Sequence, residues 1–207
     1  LAYSPSAAWN LPDVSLTIEN TLNQWYYLKV VPVSLPSGPS SFTLNAAYLD
    51  YQITGIDPGR GSNQGVVTLG IRGAKFQPDM QVFLVQGGVS CPAEKVLFNG
   101  STLVYATFDL RGLPTGLYDL LTLVQGISRR LNEAFTVTTG NPGYLETEVL
   151  MPETVRIGRV FQAWIRYRNA GESDLVSPLV LLQSPTGNQM ALYPDGVLGA
   201  SLAFQAL

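Results

Sequence analysis

Apolar and polar residues alternate with a period of two along much of this chain. In VVTLGIRGAKF, Val67, Leu69 and Ile71 share one face. In RVFQAWIRYRNAG, Phe161, Ala163, Ile165 and Tyr167 fall on one face, with Gln162, Trp164, Arg166 and Arg168 on the other. SLTIENTL sets Leu16, Ile18 and Leu22 to one side, and SFTLNAAYL pairs Phe42 with Leu44. A two-residue period is that of an extended strand with unlike faces. A helix over residues 16–25 is the competing reading there; Asn20, Thr21 and Asn23 are poor helix formers and argue against it. Turn-forming clusters separate the runs: SLPSGPSS, DPGRGSNQG and RGLPTG. Asn99-Gly100 reads as a hairpin turn. Gln77-Pro78-Asp79 reads as a corner, after which Val82 and Leu84 point inward. The pattern predicts an all-β chain.

The runs group into three segments. Residues 1–49 hold roughly three strands, too few for a core of their own. Residues 50–140 hold roughly six or seven short strands with turns about every 8 to 12 residues, the spacing of an immunoglobulin-like sandwich. Residues 141–207 hold roughly four or five, one of them interrupted by Pro178, which places it at an edge or a bulge. The expected fold class is therefore all-β, immunoglobulin-like β-sandwich modules in tandem. The middle module is complete and each flank is partial, and neither flank is expected to be stable alone.

Composition narrows the function. Of the 207 residues, 46% are hydrophobic and 13% charged, about half the typical charged share. That much apolar material excludes a disordered chain. Net charge is −3 and the arginines are scattered apart from Arg129-Arg130 and the group Arg156, Arg159, Arg166 and Arg168, so no strongly basic face is concentrated for nucleic acid. With a single cysteine, Cys91, no disulfide forms within the chain. The absence of histidine removes His-dependent triads, His-ligated metal sites and imidazole proton shuttles; chemistry on carboxylates alone remains. The charge-free run from residue 175 to 194 contains Pro178, Pro185 and Gly187, which suits strand-turn-strand rather than a membrane helix. The opening LAYSPSAAWN has neither a basic leader region nor an initiator Met and reads as a mature product or an excised piece.

Four groups of residues are candidates for chemistry. The loop from Asp57 to Asn63 offers oxygen donors, but at no recognised calcium-loop spacing, and reads as a structural turn. Asp109 and Asp119 flank RGLPTG and would serve acid-base work only if strand pairing brought them within about 5 to 9 Å. Glu146, Glu148 and Glu153 with Arg156 and Arg159 read as an exposed ion-pair patch. Tyr144 and Trp164 form a candidate aromatic platform for sugar, or equally an interdomain joint. No residue is assigned to catalysis, to a cofactor or to a metal.

The middle segment resembles the IPT/TIG family. The residues that carry the resemblance are Ile53, Ile56 and Pro58, then Gly59, Gly61 and Gly65, then Val67, Leu69, Ile71, Gly73 and Phe76. Gly116, Tyr118 and Asp119, with Ala134, Phe135 and Val137, match its closing strands. Residues 1–49 are similar to the C-terminal half of a bacterial pre-peptidase C-terminal-type sandwich, through Trp25, Tyr26, Tyr27, Val30, Phe42, Thr43 and Leu44. Residues 141–207 resemble the opening of a CARDB-like adhesion repeat, through Tyr167, Asn169, Gly171, Asp174 and Pro178. Together these resemblances imply a non-catalytic region of a larger bacterial secreted or cell-surface protein. It would act as a spacer and assembly module and meet proteins, adjacent modules or other copies, at strand edges. The alternative they leave open is an accessory, carbohydrate-binding region of a secreted multidomain hydrolase.

Overall fold

The computed structural model describes residues 18, 25–27, 29, 37, 41, 43–156 and 158–205. Among them there are thirteen strands and no helix, so none that could cross a membrane. β1(Gln52–Asp57), β3(Val66–Ala74), β7(Leu103–Asp109) and β6(Lys95–Gly100) form a four-stranded antiparallel sheet in the order β1-β3-β7-β6. β2(Arg60–Ser62), β9(Ile127–Thr138), β8(Gly116–Val124), β4(Gln81–Gln86) and β5(Val89–Pro92) form a second sheet in the order β2-β9-β8-β4-β5. β2 is its one parallel neighbour, running alongside β9.

The two sheets enclose one core. The alternation along β3 buries Val67, Leu69 and Ile71, and Val104, Ala106 and Phe108 of β7 join them from the same sheet. Val82 and Leu84 of β4, Tyr118 and Leu120 of β8, and Phe135 and Val137 of β9 close over them from the other. Each Val, Leu, Ile and Phe side chain among them contributes about 1.5–3 kcal/mol when fully buried. Val82 and Leu84 point inward as the corner predicted. Phe76, just before that corner, is buried and meets Tyr51 edge to face with ring centroids 6.3 Å apart. The Tyr51 hydroxyl donates to Thr122 Oγ1 at 2.5 Å, which satisfies the polar group buried there.

Two local expectations are corrected. Asn99-Gly100 is not the hairpin turn. β6 and β7 turn at Ser101-Thr102, and the register slips between Phe98 and Gly100, so Asn99 is the extra residue of a bulge. The tip is fixed from outside the hairpin, because Phe76 N donates to Ser101 O and Gly73 N to Thr102 O. A tight turn with two positive φ values occurs instead at Gln125 (46°) and Gly126 (81°), between β8 and β9. Pro178 does not interrupt a strand, since β12(Leu179–Gln183) begins directly after it.

The flanks build no second core of this kind among the described residues. The alternations placed at Leu16, Leu22 and Phe42, and most of the helical alternative, lie outside the described residues. Residues 25–27 and 43–49 form no strand, and Trp25 and Tyr27 are 90% and 96% exposed. Beyond Gly140, β10(Leu145–Leu150) pairs with β11(Trp164–Asn169), and β12 with β13(Ser201–Gln205), each as a two-stranded antiparallel ladder. β11 starts at Trp164, which leaves Phe161 and Ala163 of the predicted alternation outside it. The rings of Tyr167 and Phe204 lie 6.2 Å apart, a single tilted contact between the two ladders. Ser173 is the one buried residue described in this part of the chain.

Candidate functional site

That buried serine belongs to a joint between the enclosed core and the β10–β11 ladder. The chain leaves β9 at Thr138, passes through Gly140 and Gly143, runs out along β10 and returns along β11 to Asn169. Asn169 then folds the return segment back. Its Oδ1 accepts from Tyr144 N (3.2 Å) and Gly171 N (3.0 Å), and its Nδ2 donates to Ser173 O (2.7 Å). Asparagine side chains suit this role because they offer both a donor and an acceptor to nearby backbone.

Residues 172–174 then insert between the two sheets. Ser62 N, at the end of β2, donates to Glu172 O at 2.8 Å, and Asp174 N donates to Val66 O, at the start of β3, at 2.7 Å. Side chains reinforce both ends. Thr68 Oγ1 donates to Asp174 Oδ2 (2.6 Å) and Thr138 Oγ1 to Glu172 Oε2 (2.6 Å), while Arg60 Nε lies 3.4 Å from Glu172 Oε1. Gly143 N donates to Ser173 Oγ (2.9 Å), and Ser62 Oγ donates to Gly140 O (2.7 Å). Ser62 is fully buried and Ser173 is 5% exposed, so the two bonds made by these serine hydroxyls are partly shielded from water. Each contributes about 0.5–1.5 kcal/mol net, and more is lost when one partner is removed.

Glycine makes the approach close enough. A Cβ on Gly65 would stand 2.7 Å from Ser173 Oγ, on Gly140 2.0 Å from Glu172 Oε2, and on Gly143 2.5 Å from Ser173 O. These three glycines, and Gly171 with them, therefore face the inserted segment or its loop at distances a side chain could take up only if a neighbour moved.

The other predicted sites do not converge. The stretch from Asp57 to Asn63 is not all turn: Pro58-Gly59 link β1 to β2, Arg60–Ser62 are β2 itself, and Asn63 is engaged structurally, its amide donating to Thr138 O and Nδ2 to Leu113 O. Asp109 and Asp119 sit on different sheets, in β7 and β8. The Arg111 guanidinium and amide hold Asp109 at a pKa of about 2. Asp119 is also lowered, chiefly because its carboxylate accepts from Glu133 N, with Arg130 beside it. Neither carboxylate is poised to carry a proton near neutral pH. Glu146 and Glu148 pair with Arg168 and Arg166 across the ladder, not with Arg156 or Arg159. Those positions are opposite each other in the register, so strand pairing rather than sequence proximity chose the partners. Tyr144 and Trp164 do not form one platform. They lie beyond opposite ends of the Glu-Arg pairs, about 20 Å apart at 3.4 Å per residue. Cys91 is buried, and burial pushes its thiol up, with Asp109 and Glu94 adding to the shift. Among the described residues no three or more Cys, Asp or Glu side chains gather as metal ligands.

Sequence reasoning named Asn169, Gly171 and Asp174 but missed Ser62, Thr68, Thr138, Glu172 and Ser173. The available signal was the run of glycines at 65, 140, 143 and 171, each next to a short polar residue or in a polar loop. No protein-family model matches the chain, and no curated protein matches it.

Proposed function

We propose that this chain is a non-catalytic spacer and assembly region of a larger bacterial secreted or cell-surface protein, built on an immunoglobulin-like sandwich of the IPT/TIG kind. The observation that carries the reading is the joint: residues 172–174 are hydrogen-bonded into both sheets of the preceding module. A region whose work is to hold neighbours at a fixed spacing and angle needs such an interlock, and a freely hinged chain does not.

The sandwich reading is supported by strand order. A four-stranded sheet, β1-β3-β7-β6, faces a five-stranded one, and β2 crosses over to run parallel with β9. Tyr118, near the start of β8, donates its hydroxyl to Pro114 O at 2.8 Å, as the tyrosine corner of such folds does. The apolar residues that carry the family resemblance occupy the core: Val67, Leu69, Ile71, Phe76, Tyr118, Phe135 and Val137. In the CARDB-like resemblance, Asn169, Gly171 and Asp174 are joint residues, which gives that short motif a mechanical reason. The resemblance of residues 1–49 rests on sequence alone. The accessory, carbohydrate-binding alternative draws on Trp164, which is 65% exposed.

Backbone ¹⁵N relaxation on the intact chain tests the spacer role. Residues of β3, β8, β10 and β11 are expected to report one rotational correlation time. Two independent times would overturn the reading. A glycan array answered by the wild type and lost in Trp164→Ala would favour the alternative.

A further inference from the structure

The β10–β11 ladder differs from every edge of the preceding sandwich. There, β1 carries a bulge between Ile53 and Gly55, and β6 a bulge at Asn99. β2 has three residues, and β5 has four and ends in Pro92. Bulges, short strands and proline all discourage another strand from adding. β10 and β11 have six pairs in unbroken register, and among the described residues neither outer edge has a backbone partner.

The direction of the free groups follows from the ladder. Ala170 N donates to Tyr144 O, so that pair is hydrogen-bonded. Bonded and non-bonded pairs alternate in an antiparallel ladder. The amides of Leu145, Thr147 and Val149 therefore point out from β10, and those of Ile165, Tyr167 and Asn169 from β11. On one face, β10 carries Glu146 and Glu148, and β11 carries Arg166 and Arg168, all half or more exposed.

Charge then selects among pairings. A two-fold dimer of β10 edges centred on Thr147 sets Glu146 opposite Glu148 of the other copy. A two-fold dimer of β11 edges centred on Tyr167 sets Arg166 opposite Arg168. Like charges directly opposite are destabilising. Antiparallel addition of β10 of one copy to β11 of the next makes Tyr167 and Thr147 a hydrogen-bonded pair. It also sets Arg168 against Glu146 and Arg166 against Glu148, repeating the register inside each ladder. We infer that the β11 edge takes β10 of a second copy of this chain, in a head-to-tail, repeating mode rather than a closed two-fold dimer. This deepens the assembly role proposed above and rests on it.

Sedimentation velocity on the intact chain over a concentration series, at low and high salt, tests the inference. The wild type is expected to form species larger than a dimer, fewer as salt screens the edge charges. Glu146→Arg with Glu148→Arg makes both edges basic, and Arg166→Glu with Arg168→Glu makes both acidic. Each double variant alone is expected to be monomeric, and an equimolar mixture of the two to associate. Because these changes also place like charges within the ladder, Thr147→Pro is the second variant. It removes an outward amide while leaving the internal pairing, and association should fall at least tenfold. A wild type monomeric up to its solubility limit, a salt-insensitive closed dimer, or a mixture of the double variants that stays monomeric while Thr147→Pro still assembles would overturn the inference. So would a monomeric wild type that binds an acidic alternating peptide at this edge, because the occupant would then be a foreign strand. The relaxation experiment reads the joint within a monomer, so failure here and failure of the spacer reading are separable.

Discussion

A Cβ on Gly171 would stand 2.0 Å from the carbonyl oxygen of Pro142 and 2.7 Å from the Gly143 Cα. Both are backbone atoms, so neither can swing aside as a side-chain tip would. Gly171→Ala must therefore push residues 140–143 away from the inserted segment and weaken the bonds of Glu172 and Ser173. The expected cost is about 1–3 kcal/mol, the range for forced overpacking, and it falls on the joint. Hydrogen exchange locates it: the amides of Ser62, Gly143 and Asp174 should exchange faster, and those of Leu69 and Leu120 should not change. Equal protection at the joint in both proteins would show that it does not depend on this contact.

Tyr118 is fully buried and donates its hydroxyl to Pro114 O at 2.8 Å. Tyr118→Phe keeps the ring and deletes the donor. The loss should be about 1 kcal/mol, or somewhat more because a carbonyl loses its partner. For a module of this size that lowers Tm by about 4–8 °C. A calorimetric scan at neutral pH checks it; an unchanged Tm would mean that the corner contributes nothing to the fold.

The core was legible because burial imposes a simple rule on strands. Val67, Leu69 and Ile71 alternate in the sequence and alternate in burial along β3. The same rule misled at Phe161 and Ala163, where the alternation continues but the strand does not. With one buried residue among those described beyond Gly140, the described residues there enclose no core to reward every apolar position. Asn99-Gly100 misled for another reason: local turn preference lost to hydrogen bonds from Gly73 and Phe76, distant in sequence. The joint was legible in fragments. Asn169 acts on neighbours a few residues away, which leaves a motif. Ser62, Thr68 and Thr138 act on partners 34 to 110 positions away, and nothing local marks them.

Acid should loosen the sandwich through two carboxylates. Arg111 holds Asp109 at about 2, and the Glu133 amide with Arg130 lowers Asp119 from the ordinary value of 3.8. A carboxylate lowered in the folded state binds protons more weakly there than in the unfolded chain. Its stabilising effect is full above about pH 4 and is lost as pH falls toward 2. Denaturant midpoints measured from pH 5 to pH 2 should therefore decline. In Asp109→Asn the decline should be shallower, from a lower starting stability. A variant that loses stability as steeply as the wild type would show that other groups govern acid unfolding.

Cys91 provides a probe of the same module from the alkaline side. It lies on β5 opposite Leu84, is 8% exposed, and sits with its sulfur 3.5 Å from Asp109 O. Burial raises its pKa above the ordinary thiol value of 9.0, and the carboxylates of Asp109 and Glu94 raise it further. The thiolate is the reactive form. In the folded protein at pH 8 the thiol is thus both covered and held protonated, and modification by an aromatic disulfide reagent should be at least about tenfold slower than in denaturant. The linkage has the opposite sign to that of the aspartates. The unfolded chain loses this proton first, so stability conferred below pH 9 declines as pH rises through the folded value. Cys91→Ala should remove the thiol's share of that decline, leaving the share of Tyr51 and Tyr118, whose hydroxyl pKa values burial also raises, and should leave a cavity that lowers stability at neutral pH. Rapid labelling of the native protein at pH 8 would show that β5 is not closed over the thiol.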